Sequence, residues 1–223
     1  MPRIHMAFAS EFDICVLANI NKCEFDDVSI YSGFDSEGGG WRKELLAQID
    51  KLRLEYDSLI LFLDDFYIYD FPSLAEIEKT KTLVNRAIDE GLKYVALNPL
   101  DCGFVESIFK SRSGSFREIK NTHPYYRSLK VAFWDIEYLY SCLSEDLSIW
   151  NFERKRGQVV HFESTSKLLK YCHIVEKGLY RRWLIHYLGI NTKTSSRGIN
   201  REFLLTFLLK RIRIRIFGYL GVR

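Results

Sequence analysis

Through its first hundred residues the chain alternates between short apolar runs and amphipathic stretches of helical spacing. This constrains the fold more than any other feature, because neighbouring parallel strands must be joined by a crossover, usually a helix. RIHMAFAS, ending at Ser10, reads as a first strand. Residues 11–23 place Phe12, Cys15, Val16 and Ile20 at helical spacing and read as a helix. VSIYSG, from position 28, reads as a second strand, and FDSEGGGW as a loop. WRKELLAQIDKLRLEY carries Trp41, Leu45, Leu46, Ile49 and Leu52 on one stripe and reads as a helix. SLILFLDD is a third strand, and its unbroken apolar run fits burial on both faces. Pro72 and Ser73 open a helix that Gly91 closes, and YVALNP, from 94, is a fourth strand. The predicted fold class is α/β, a mostly parallel sheet flanked by helices.

The pattern fails between positions 100 and 126, a polar stretch with Gly103 and Gly114 that reads as a loop-rich insertion with one short hairpin. SLKVAFW then reads as a strand, DIEYLYSCLSEDL as a helix and SIWNFERK as a helix start or a turn. QVVHFE and KYCHIV read as strands, and EKGLYRRWLIHYLG as a helix with Leu179, Trp183 and Tyr187 on one side. The polar segment GINTKTSSRG, 189–198, separates a main domain, 1–190, from a C-terminal tail, 191–223.

A net charge of +3 supplies no global field for nucleic acid. The charge is uneven, with a local excess of six positive charges over 197–223 on a slightly acidic body. Five cysteines without a CxxC spacing fit a reducing compartment. The scattered histidines have no metal-ligand spacing, and GxxxxGK[ST], GxGxxG and GxSxG are missing. Zinc, ATPase, dinucleotide and α/β-hydrolase readings therefore lose their usual support. No signal peptide and no apolar run of membrane-spanning length is expected.

Ligands of α/β sheets bind beyond the carboxyl ends of strands. Asp64 and Asp65 stand at that end of the third strand and Asn98 at that end of the fourth. Adjacent carboxylates at a strand end suit Mg²⁺ or Mn²⁺, hard cations that share oxygen ligands with substrate phosphates. The alternative is one carboxylate capping the next turn and the other in solvent. In residues 126–153, Trp134 and Trp150 could wall a sugar pocket, since aromatic faces suit the CH faces of sugars. Glu153 could deprotonate an acceptor hydroxyl. The alternative is two core tryptophans and a surface carboxylate.

The ordered set of a buried strand ending in DDF, a YVALNP strand, then YxxSLxxAxW and IWNFE resembles bacterial glycosyltransferases of the GT-A class that build lipopolysaccharide, O-antigen and capsule chains. Tyr126, Ser128, Leu129, Trp134, Leu139, Leu143, Trp150 and Glu153 fill the pattern, and the resemblance spans roughly residues 3–190. It implies a GT-A-like, Rossmann-like domain that moves a sugar from a nucleotide-sugar donor to a lipid-linked or polysaccharide acceptor. It also implies Asp64 and Asp65 as the acidic strand end that binds metal and donor diphosphate, and Glu153 as the acidic residue facing the acceptor. Ser10 and Asp13 then fall where the nucleotide is held, and His173 and Lys177 where a late cation touches the diphosphate. The acid pair is adjacent rather than a spaced D-x-D, which leaves open which Asp meets the metal.

The tail, REFLLTFLLKRIRIRIFGYLGVR, could lie in a membrane interface with its arginines and lysine against anionic lipid. A terminal helix docked on its own core, or a strand for RIRIRI, are the alternatives. The resulting expectation is a cytoplasmic enzyme, peripheral on the cytoplasmic face of the inner membrane, with nucleic acid excluded as a partner. Two other readings stay open: a non-catalytic membrane-associated interaction protein and a sugar nucleotidyltransferase.

Overall fold

A computed structural model describes residues 12–17, 29–31, 40–63, 66–68, 72–100, 116–173, 175–176, 179–181 and 199–200. Its centre is a five-stranded sheet built from β3 (Ser58–Leu61), β5 (Tyr94–Ala96), β6 (Phe116–Glu118), β7 (Ala132–Asp135) and β8 (Phe162–Ser164), in the order β3-β7-β5-β8-β6. Smaller ladders join β1 (Cys15–Leu17) to β2 (Ser29–Tyr31), and β4 (Phe66–Ile68) to β9 (Tyr171–His173). A third unites β10 (Val175–Glu176), β11 (Leu179–Arg181) and β12 (Ile199–Asn200). The helices are α1 (Gly40–Leu52), α2 (Leu74–Asp89), α3 (Ile136–Ser144) and α4 (Ile149–Arg154).

The fold is α/β, a mixed sheet flanked by helices. The period of two along each strand sorts side chains onto two faces. Tyr94, Ala96, Ala132, Trp134 and Leu61 face a core completed by Leu45, Ile49 and Leu52 of α1, by Leu139 and Leu143 of α3, and by Phe152 of α4. Val95, Leu97, Val131 and Phe133 face the opposite way, against Leu83, Val84 and Ala87 of α2. Local chemistry sets the helix ends. Ser73 and Glu76 close a reciprocal capping box at the start of α2, and Gly91 follows its end at φ +63°. Asp135 caps α3 through Tyr138 N at 2.8 Å, and Ser148 caps α4 through Asn151 N.

Three expectations are corrected. The central sheet is not mostly parallel, because β7 inserts antiparallel between β3 and β5 and only β5 and β8 pair in parallel. Alternation along the sequence fixes the order of elements, and the return of residues 132–135 through the middle of the sheet is a long-range pairing it does not encode. Residues 15–17, expected in a helix, are a strand paired in parallel with residues 29–31. Residues 179–181, also expected in a helix, pair with β10 on one side and β12 on the other. In both segments inter-strand pairing overrides helical spacing. The first predicted strand, most of the 100–126 insertion and residues 201–223 of the tail lie outside the described residues. No helix among the described residues is long and apolar enough to cross a membrane.

Candidate functional site

β3, β5 and β8 run in one direction and β7 and β6 in the other, so their carboxyl ends share one edge with the amino end of β7. Leu61 and Ala96 both stand level with Ala132 across the ladders. Neighbouring strands lie about 4.8 Å apart. The segments leaving Leu61 and Ala96 and the segment entering Ala132 therefore emerge side by side. The first leads to Asp64 and Asp65, the second to Asn98, and the third comes from Lys130.

Asp64 and Asp65 lie outside the described residues, but both flanks are ordered. Phe66 N donates to Leu63 O at 3.3 Å. The rings of Phe62 and Phe66 meet edge to face at 6.0 Å, and Tyr171 of β9 packs on Phe66 at 5.1 Å. In the β4–β9 ladder His173 is paired with Phe66, the residue that follows the acid pair. Two stretches about a hundred residues apart in sequence, residues 66–68 and 171–173, are thus paired. Ser10 and Lys177 also lie outside the described residues, and Asp13 is exposed just before β1.

Asn98 is buried, and both ends of its amide are engaged. Its Oδ1 accepts from Leu168 N at 2.8 Å and Leu169 N at 3.0 Å, while Nδ2 donates to Leu169 O at 2.7 Å. The side chain expected to bind donor instead fastens the 168–169 backbone to the end of β5. Trp134 is 0% exposed, edge-on to Tyr94 at 4.5 Å, so its indole belongs to the core and not to a pocket wall. Trp150, on the outside of α4, is 52% exposed and does offer a ring face.

The segment 126–153 is largely a packing unit. Tyr126, Ser128, Leu129, Leu139 and Leu143 are buried. Glu153 ties α4 to this segment twice: its carbonyl oxygen accepts from Arg127 N at 3.1 Å, and its Oε1 accepts from Leu129 N at 3.2 Å. Its carboxylate is thereby held three residues before the start of β7. Arg127 is itself buried and donates to Glu145 Oε2 at 3.1 Å, an oxygen shared with Lys155 Nζ at 2.8 Å.

Sequence reasoning missed two buried groups on β8 and its approach. His161 bridges Tyr126 O and Tyr138 Oη, each at 2.7 Å. Glu163 accepts from Arg117 Nε at 2.8 Å, and also binds Arg117 Nη2 and Leu100 N. Two titratable residues at i and i+2 of the strand QVVHFE share one sheet face, and that spacing was the available signal. Leu100 O in turn accepts from Lys130 Nζ at 3.2 Å.

The arrangement defines an α/β protein with a mixed five-stranded sheet flanked by helices, a small ladder that pairs Phe66 with His173, and a part-buried Glu153 carboxylate held near the start of β7. No family model, curated protein or solved structure matches the chain.

Proposed function

We propose that the chain is a GT-A-like, nucleotide-sugar-dependent glycosyltransferase that extends a lipopolysaccharide, O-antigen or capsule acceptor. The observation that supports this reading is the shared edge: β3, which Asp64 and Asp65 follow in sequence, ends level with β5 across β7, and β9 sets His173 opposite Phe66. Ligands bind at this edge of α/β sheets.

Among the described residues no cluster of three or more His, Cys, Asp or Glu could hold a metal. Mg²⁺ and Mn²⁺ need only one or two carboxylates when substrate phosphates complete the shell, so Asp64 and Asp65 fit that role. When bound, such a cation would offset charge on the departing diphosphate. His173 and Lys177 would steady the same group, and Ser10 and Asp13 would hold the nucleotide. Glu153, oriented by Leu129 N, would take the proton of the acceptor hydroxyl. Trp150 would stack on a sugar of the acceptor. The basic tail would carry the enzyme on the cytoplasmic face of the inner membrane, where a lipid-linked acceptor lies.

Incubating the protein with a panel of nucleotide sugars and a lipid-linked glycan extract tests the reading. The expected product is a nucleoside diphosphate, with Glu153→Gln losing turnover and keeping donor binding. Normal turnover in that variant would remove the base assignment, and release of pyrophosphate would make the protein a nucleotidyltransferase.

A further inference from the structure

Glu145 and Lys155 are the C-cap residues of α3 and α4. Between them runs the segment 146–154, which contains all of α4 and with it Glu153. Lys155 Nζ reaches Glu145 Oε2 at 2.8 Å, so the two ends of the segment are bridged. The same oxygen accepts from Arg127 Nη1 at 3.1 Å. Arg127 grips the segment from the inside: its side chain is 6% exposed, against 29% for Glu145 and 44% for Lys155. Tyr138 of α3 also hydrogen-bonds the guanidinium, and Gly157 passes close over it, since a Cβ there would stand 3.4 Å from Arg127 Nη2.

The main chain of the same residue holds α4 as well. Arg127 N donates to Glu153 O at 3.1 Å, and two residues on Leu129 N donates to Glu153 Oε1 at 3.2 Å. The Glu153 carboxylate is therefore oriented by residues 127–129, and those residues are seated by the ion pair with Glu145. A six-residue helix has little stability of its own, so α4 depends on Phe152 in the core and on these contacts. A buried guanidinium deprived of its carboxylate is costly, because its charge stays out of water uncompensated. The neighbouring Arg42–Asp146 pair weighs far less, since the Asp146 side chain is 95% exposed. Burial opposes ionisation of Glu145, but hydrogen bonds from Lys155 and Arg127 and their charges outweigh it and hold the carboxyl below its usual range. The pair is charged at neutral pH.

We propose that Arg127 is the positioning residue of α4: clasped to Glu145 and Lys155, it fixes the Glu153 carboxylate, and breaking the clasp releases residues 126–130 and α4 together while the rest of the fold stays closed. The clasp is a property of the fold, and its consequence for turnover rests on the transferase reading.

The test is amide hydrogen exchange on the full chain, read over residues 126–130 and 149–155, with residues 77–87 of α2 as the internal reference. Wild type is compared with Glu145→Gln, which keeps the shape of the side chain and removes its charge, and with Asp146→Asn as the exposed control one residue on. Glu145→Gln should speed exchange in the first two segments by about tenfold or more relative to α2, because local opening bares the amides of Arg127 and Leu129. Asp146→Asn should leave all three segments within about twofold of wild type. Arg127→Lys, which keeps the charge, should recover part of the protection lost in Arg127→Met. If Arg127→Met does not fold, Glu145→Gln alone carries the comparison. In a transfer assay Glu145→Gln should lower kcat and leave the donor KM within a few fold, as expected when the acceptor base is misplaced and donor contacts are kept. Exchange that rises equally in α2, does not rise, or rises as much in Asp146→Asn would overturn the clasp. An unchanged kcat in a transferring enzyme whose 126–130 exchange has risen would overturn the positioning role. The two ideas fail separately: a wild type that transfers no sugar ends the transferase reading, and the exchange pattern alone then decides the clasp.

Discussion

Tyr126 lies flat on His161, ring centroids 4.3 Å apart and planes 7° from parallel. The two polar contacts of His161 fix its tautomer: Nδ1 must donate to the carbonyl oxygen of Tyr126, which leaves Nε2 to accept from the Tyr138 hydroxyl. Burial holds the imidazole neutral down to about pH 4, opposed by the hydrogen bond to Tyr126 O and reinforced by the charge of Arg127. Burial likewise pushes the Tyr138 phenol up, so it stays a donor.

A pH dependence follows from His161. In the unfolded chain the residue takes a proton near pH 6.5 that the folded chain refuses until about pH 4. Its contribution to stability is therefore complete above the unfolded value and is lost as pH falls toward the folded one. The slope is about 1.4 kcal/mol per unit, so wild type should lose about 2 kcal/mol between pH 7 and pH 5 from this group. Urea unfolding of wild type and His161→Phe at both pH values measures it. The variant should be less stable at pH 7 and show a flatter decline, whereas parallel declines would remove the assignment.

The two tryptophans of the 126–153 segment should separate sharply. Trp134→Ala opens a cavity in the centre of the core and should cost about 3–5 kcal/mol. Trp150→Ala changes an exposed ring and should alter stability by less than about 0.5 kcal/mol, while weakening acceptor binding. Denaturant midpoints of both variants check the first contrast, and acceptor titration of Trp150→Ala checks the second.

Asn98 should behave as a structural residue. Asn98→Ala strands two backbone N–H groups and one carbonyl of residues 168–169, and should cost about 2–3 kcal/mol. A variant of unchanged stability that loses only donor affinity would return Asn98 to the ligand.

Breaking the Glu163 pair leaves Leu100 N and the Arg117 guanidinium without that carboxylate. Glu163→Ala should lower stability by about 2–4 kcal/mol, moderated by the solvent that already reaches Arg117. Guanidinium unfolding of Glu163→Ala beside Arg117→Ala checks this. Both should be destabilised, because removing the arginine leaves a buried carboxylate uncompensated.

Much of the scaffold was legible in the sequence, for local reasons. Ser73 and Glu76 announce the start of α2 and Gly91 its end; the unbroken apolar run announces β3 as a strand but not its part-exposed place at the sheet edge, where only Leu61 of its four residues is buried. What escaped was non-local. Phe12 and Cys15 sit at helical spacing, yet residues 15–17 are a strand because residues 29–31 pair with them. β7 was read as a strand, but its position between β3 and β5 comes from pairings across more than thirty residues. The acid pair stands out in the sequence by its place at the end of an apolar run, and it lies outside the described residues. Trp134 and Asn98 were taken for ligand contacts because residue type alone does not distinguish a tryptophan facing a cleft from one facing α3, or an amide awaiting a ligand from one bound to residues 168–169. Arg117 meets Glu163 only once β6 and β8 pair.

The most direct test of the central claim is thermal unfolding with UDP, GDP, CMP and dTDP, each with and without Mn²⁺, on wild type and Asp65→Ala. A ligand that binds only the folded state stabilises it by about 2.7 kcal/mol at a hundred times its Kd. The account predicts that one nucleotide raises the midpoint only with Mn²⁺, and that Asp65→Ala keeps its fold and loses the response. No response to any nucleotide, or an undiminished response in Asp65→Ala, would contradict it and leave DDF as a structural turn.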